Sequence, residues 1–158
     1  MIHVDVYEKW WIVASLAVLV VFAAAIGVAG FAAGIQVPVP EARVDPNTVG
    51  ETGPFAEPGL RELAPGRYEA YILAQASPWR FYPDEIRVPA GSRVTFYLTS
   101  ADVQHGFLIP GTNINVMVLP GQVSRLTTTF DEPGTYSYIC TEYCGVGHHN
   151  MFGTIIVE

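Results

Sequence analysis

The chain has 158 residues, half of them hydrophobic and 15% charged, with eight Lys and Arg against fifteen Asp and Glu for a net charge of −7. An acidic balance of this size argues against nucleic acid as a partner. No P-loop, paired carboxylates or nucleophile–base pair points to hydrolytic chemistry.

Residues 1–9 read as a polar N-terminal tail, in which His3 is solvated and Met1 is the start residue. From Trp10 to Ile35 there are 26 residues without a charge. At about 1.5 Å per residue, such a helix exceeds the roughly 30 Å hydrocarbon core of a bilayer. The run therefore predicts a transmembrane helix over 10–35 and a lipid bilayer as partner. A cleaved signal peptide would have an apolar region of about 7–15 residues behind a basic segment. Here the preceding residues carry Asp5, Glu8 and a single Lys9. Trp10 and Trp11 stand where interfacial aromatic anchors belong, and Gly27, Gly30 and Gly34 would allow close helix packing.

Residues 36–65 are rich in Pro, Gly and Glu without periodicity and are expected to form a linker. Val37-Pro38-Val39-Pro40 should be extended, since proline disfavours helix at itself and at the residue before it. Residues 66–158 then show short alternating runs bounded by Gly and Pro, the mark of an all-β sandwich. The predicted strands are 67–73, 85–88, 93–99, 106–109, 115–119, 124–130, 135–139 and 154–157, with Pro89-Ala90-Gly91 and Glu132-Pro133-Gly134 as turns. Met117, without a partner pattern, reads as a core residue.

The chemistry is concentrated near the end, in Cys140-Thr141-Glu142-Tyr143-Cys144-Gly145-Val146-Gly147-His148-His149-Asn150-Met151. This stretch holds both cysteines, two of the four histidines and one of the three methionines. Upstream, His105 follows a strand-like run. Thiolate, imidazole and thioether together suit copper. Cys140 and Cys144 could instead form a disulfide, and Cys140, Cys144, His148 and His105 would make a Cys₂His₂ zinc set that leaves Met151 unexplained. A mononuclear blue-copper site leaves one cysteine over. Two thiolates, two imidazoles and a thioether suit two coppers better than one. Gly145 and Gly147 permit the backbone angles that a compact ligand loop requires.

This pattern resembles the dinuclear copper (CuA) domain of subunit II of haem-copper cytochrome c oxidases. The family's motif, roughly C-x-E-x-C-G-x-x-H-x-x-M, is matched by Cys140, Glu142, Cys144, Gly145, His148 and Met151. The family's upstream Ser-x-Asp-Val-x-His run is matched by Ser100-Ala101-Asp102-Val103-Gln104-His105. The resemblance covers essentially the whole chain. It implies a mainly β, cupredoxin-like Greek-key barrel or sandwich, anchored by one N-terminal transmembrane α-helix, with 66–158 as the copper domain. Two copper ions would be bridged by Cys140 and Cys144, with His105 and His148 as terminal ligands. Met151 and the Glu142 carbonyl would be weak ligands, and the Glu142 side chain a ligand to magnesium at the interface with subunit I. His149 is the alternative to His148 in register. Asp102 would support the site by hydrogen bonding or cap a turn.

The family's usual subunit II has two membrane helices, whereas this sequence shows one, as in the B-type branch of these oxidases. The implied function is to accept electrons from cytochrome c and pass them to haem in membrane subunit I. There oxygen is reduced to water and protons are translocated, so the oxidoreductase activity belongs to the complex. The copper domain would face the periplasmic or outer side of the inner (plasma) membrane. After Gln36, seven arginines stand against thirteen carboxylates, a balance of −6 that would steer a basic cytochrome. The aromatic patch Trp79-Arg80-Phe81-Tyr82-Pro83 falls where the family receives electrons, with Trp79 or Phe81 in that role or in core packing. The rival readings are the electron-input subunit of a CuA-containing nitric oxide reductase and a membrane-tethered copper carrier.

Overall fold

The computed structural model describes residues 5–158; Met1 and His3 lie outside that range. The chain divides into two units, an N-terminal segment ending at Ile35 and a β domain from Gln36 to Glu158. The first is one helix, α1, Val6–Ala32. Asp5 caps its start by accepting the Tyr7 N–H at 2.9 Å. It ends in a Schellman turn, with Gly34 at φ 59° and the Gly34 and Ile35 N–H groups donating to the carbonyls of Phe31 and Gly30. The cap and this turn place the helix a few residues earlier than the run 10–35. At 27 residues and a mean hydropathy of 2.8 over its most apolar window, it is long and apolar enough to cross a membrane.

The β domain contains β1 (Pro40–Arg43), β2 (Gly59–Ala64), β3 (Arg67–Ala76), β4 (Trp79–Tyr82), β5 (Glu85–Val88) and β6 (Ser92–Ser100). After these come β7 (His105–Leu108), β8 (Asn115–Val118), β9 (Gln122–Phe130), β10 (Gly134–Ile139) and β11 (Phe152–Val157). One sheet runs β1-β9-β6-β3-β2, with β4 paired to β3; the other runs β5-β11-β10-β7-β8. The β3–β6 and β5–β11 pairs are parallel and the rest antiparallel. Period-2 alternation sends Val94, Phe96 and Leu98 of β6 inward, and Ile155 and Val157 of β11 likewise.

Between the sheets the core is aromatic. Phe107 lies 5.4 Å from Phe81, 5.1 Å from Tyr138 and 5.7 Å from Phe96, ring centre to ring centre. Such pairs contribute about 0.5–1.5 kcal/mol each beyond area burial. The Tyr138 hydroxyl keeps a partner by donating to the Pro83 carbonyl at 2.6 Å.

Three strands fall outside the sequence expectation. The segment 36–65 carries β1 and β2, because pairing at a sheet edge satisfies backbone groups without needing an alternating apolar pattern. Gln36 fastens its start, its amide donating to the Thr127 carbonyl at 2.7 Å and accepting the Thr127 N–H at 2.9 Å. Val49 and Phe55 are buried beside Leu73 and Val123 in a second small core. The aromatic patch at 79–82 is β4. Met117, expected in the core, is 46% exposed, because the β8 alternation points Val116 and Val118 inward and Met117 out.

Candidate metal centre

Three strands of the second sheet bring the donor residues together. His105 is the first residue of β7 and is completely buried. Cys140 follows β10 directly and Met151 precedes β11 directly, and the Cys140 N–H donates to the Met151 carbonyl at 3.0 Å, closing the loop between them. Inside the loop, His148 N–H bonds to the Gly145 carbonyl, Asn150 N–H to Gly147 and Met151 N–H to His148, which tightens 148–150 into a 3₁₀ turn. Gly145 takes φ 122°, a conformation that favours glycine. Gly147 has an ordinary φ of −90°; its glycine is required for space, because a Cβ there would run into the Trp79 ring.

The donor atoms form a chain of close contacts. Cys140 Sγ lies 3.9 Å from His105 Nδ1, 3.3 Å from the Glu142 carbonyl oxygen and 3.8 Å from Cys144 Sγ. Cys144 Sγ in turn lies 3.6 Å from His148 Nδ1 and 3.7 Å from Met151 Sδ. His105, Cys140 and Cys144 alone bring three ligand atoms within 4.8 Å of one another. Each sulfur–nitrogen separation is shorter than two metal–ligand bonds of about 2.3 and 2.1 Å laid end to end, so one ion can touch both atoms. The soft donor set fits copper, and both thiols are free, not joined as a disulfide. His149 turns away from this group, its Nε2 3.1 Å from Asn150 Nδ2 on the exposed face of the turn. The Glu142 carboxylate accepts from Gln104 Nε2 at 3.3 Å.

Hydrogen bonds tune the donors. Burial pushes the Cys140 thiol up, but the His105 ring and the N–H groups of Gly106 and Glu142 outweigh it and hold the group at about 6. Burial and then the charge of Cys140 push the Cys144 thiol up to about 12. One thiol of the pair thus ionises readily and its neighbour keeps a proton. Burial opposes charge on His105, yet Cys140 and Asp102 together raise it above the ordinary histidine value. Asp102 Oδ1 lies 3.0 Å from His105 Nε2, which leaves Nδ1 for the cluster. Burial disfavours the Asp102 carboxylate too, but hydrogen bonds from His105 and the Ala76 and Val103 N–H groups hold it below the usual range.

Trp79 and Phe81 separate. Phe81 is fully buried in the aromatic core. Trp79 is half-buried over the ligand loop, and its Nε1 donates to the Cys144 carbonyl at 3.1 Å. That bond, the Gln104–Glu142 contact and the Ala76 bond to Asp102 depend on segments distant in sequence and leave no local signature. Gly106 does leave one, as a lone glycine within a strand that marks close backbone approach. A Cβ at that position would meet the Thr141 side chain and the backbone nitrogens of Thr141 and Glu142.

Residues 68–158 match the family model for the periplasmic domain of cytochrome c oxidase subunit II. A cytochrome c oxidase subunit 2 of Thermus thermophilus is 48% identical over 156 residues, covering 96% of this chain and 92% of the relative. A second subunit 2 from Thermus thermophilus is 51% identical over 118 residues, 73% of this chain and 86% of the relative. A chain in the cryo-electron microscopy structure of a haem-copper terminal oxidase dimer superposes with a TM-score of 0.74 at 38% identity, covering 96% of this chain and 99% of that one. The periplasmic domain of subunit II of the Bradyrhizobium japonicum cytochrome oxidase, at 22% identity, a TM-score of 0.52 and coverage of 57% and 83%, shares the fold.

Proposed function

The chain belongs to the cytochrome c oxidase subunit II family, and from that premise we propose that it is the electron-input subunit of its haem-copper oxidase, built around a dinuclear copper centre. The observation that carries this reading is the pair of free sulfurs 3.8 Å apart, each with its own histidine Nδ1 within 3.9 Å. Cys140, Cys144, His105 and His148 would hold the two coppers, with the Glu142 carbonyl and the Met151 thioether as weaker ligands. Two coppers held in this way supply one-electron chemistry, taking up and releasing a single electron shared between them. The protein's part is to keep the donors fixed and dry. His105 is fully buried, and the two cysteines are 8% and 7% exposed. A copper carrier would need an open, exchangeable site, which this burial disfavours.

Electrons would come from a cytochrome c and pass to haem in the membrane partner, subunit I, where oxygen is reduced to water and protons are moved. Val103, Tyr143 and Val146 stand exposed beside the donor residues and offer apolar contact to such partners. Trp79 is the better electron-input candidate of the aromatic pair, being half-buried and bonded to the loop. The Glu142 carboxylate would reach a magnesium ion at the subunit I interface. With α1 in the inner membrane, the β domain would face the periplasmic side. Copper stoichiometry and electron paramagnetic resonance of the copper-loaded full chain in detergent test the reading. Two coppers per chain sharing one unpaired electron support it; one copper, or bound zinc, sinks it.

A further inference from the structure

The β3–β4 hairpin touches the donor set at two points. At the end of β3, the Ala76 N–H donates to Asp102 Oδ2 at 2.6 Å, and the other oxygen of that carboxylate holds His105 Nε2 at 3.0 Å. At the start of β4, Trp79 Nε1 donates to the Cys144 carbonyl at 3.1 Å, and the indole fills the space over Gly145 and Gly147. Ala76 and Trp79 are directly opposite each other in the β3–β4 ladder. One tight hairpin is therefore bonded to the His105 half of the donor set through Asp102 and to the Cys144 half through Trp79. These halves come from separate elements, β7 and the loop after β10, and the hairpin ties them together from outside.

We propose that this hairpin is a brace, with Trp79 and Asp102 as positioning residues that set the spacing of the two halves and through it the reduction potential of the centre. The inference rests on the copper reading above. Two physical effects act together. The Ala76 N–H draws on the same carboxylate that accepts from His105, so the hairpin governs how much negative charge Asp102 lends to a metal-bound imidazole. The indole fixes the backbone of Cys144 directly, and a shift of Trp79 carries the sulfur with it. Because Ala76 and Trp79 share one short rigid turn, loosening either contact relaxes the other.

Two conservative variants separate the brace from general packing. Trp79→Phe keeps an aromatic ring over the glycines and removes the N–H. Asp102→Asn keeps one oxygen for His105 and for the Val103 N–H, which Asp102 Oδ1 accepts at 2.6 Å, while turning an amide N–H toward the Ala76 N–H. The full chain in detergent, copper-loaded, is measured for copper content, reduction potential and copper hyperfine coupling. Both single variants are expected to retain two coppers and shift potential and coupling, and the double variant to shift them by less than the sum, as residues acting through one element do. In the copper-free chain, Trp79→Phe is expected to speed hydrogen exchange at the Ala76 amide. Additive shifts with unchanged Ala76 exchange would overturn the brace. A wild-type chain binding fewer than two coppers would overturn the copper reading instead, and the exchange measurement still decides the brace.

Discussion

The sulfurs of Cys140 and Cys144 stand 3.8 Å apart, nearly twice the roughly 2.05 Å of a disulfide bond. Each is in contact with a different histidine, His105 for one and His148 for the other. That spacing suits two thiolates facing a shared pair of ions, and it gives the cysteines equivalent standing despite their unequal proton affinities.

Replacing either cysteine with serine tests that equivalence. A hydroxyl is a poor bridge for soft metals, so Cys140→Ser and Cys144→Ser are each expected to abolish the signal of an electron shared between two coppers. The fold should survive, since serine is smaller than cysteine and the sites lie at the edge of the core. Electron paramagnetic resonance of the copper-loaded variants is the check. A shared-electron signal persisting in either variant would rule out the bridging role of that residue.

Met151 is 2% exposed, with its sulfur 3.7 Å from Cys144 Sγ. Leucine conserves its volume closely enough to cost less than about 1.5 kcal/mol in stability. Met151→Leu should therefore keep both coppers while shifting the reduction potential, because it would remove only a weakly binding thioether and leave the thiolates and imidazoles in place. Loss of all copper would show that Met151 is a principal ligand.

Copper binding should tighten as pH rises. Cys140 is ionised above about pH 6, whereas Cys144 holds its proton up to about 12. Between those limits, loading the site as a bis-thiolate releases the Cys144 proton, so apparent affinity should climb about tenfold per pH unit. The slope steepens at the acid end, where the raised His105 must lose a proton too. Chelator competition at two pH values reads the slope directly. A flat profile would mean that Cys144 binds no metal as a thiolate.

Much of this molecule can be read from residue order because its signals are local. The alternation of Val94, Phe96 and Leu98 fixes β6, and the spacing from Cys140 to Met151 packs five donors into a single loop. What escaped is what depends on distant partners. β1 and β2 are recognisable only from the strands they pair with, and Gln36 only from the backbone of Thr127. Phe81 and Trp79, two residues apart, look alike in sequence. They lie on the same face of β4, but Phe81 sits within the aromatic core while Trp79, at the strand's first position, packs at its margin over the ligand loop. Gly147 looks like a residue kept for backbone freedom, but its φ is ordinary and the Trp79 ring supplies the reason for glycine there.

Gly106 offers the sharpest test of how β7 and the ligand loop fit together. It follows His105 directly, its N–H helps hold down the Cys140 thiol, and a Cβ in its place would press on the backbone of Thr141 and Glu142. The colliding atoms include main-chain nitrogens, which no side-chain rotation can move aside. In Gly106→Ala either the loop is pushed away from β7 or the strand shifts. Overpacking of this kind costs roughly 1–3 kcal/mol, and the displaced loop would carry Cys140 away from His105. The variant is thus expected to unfold at lower denaturant than the parent and to bind less copper, with the shared-electron signal weakened even where copper remains. Gly106→Ala with parental stability and an unchanged spectrum would show that the loop has room to spare over β7, and the close approach would then have no part in shaping the centre.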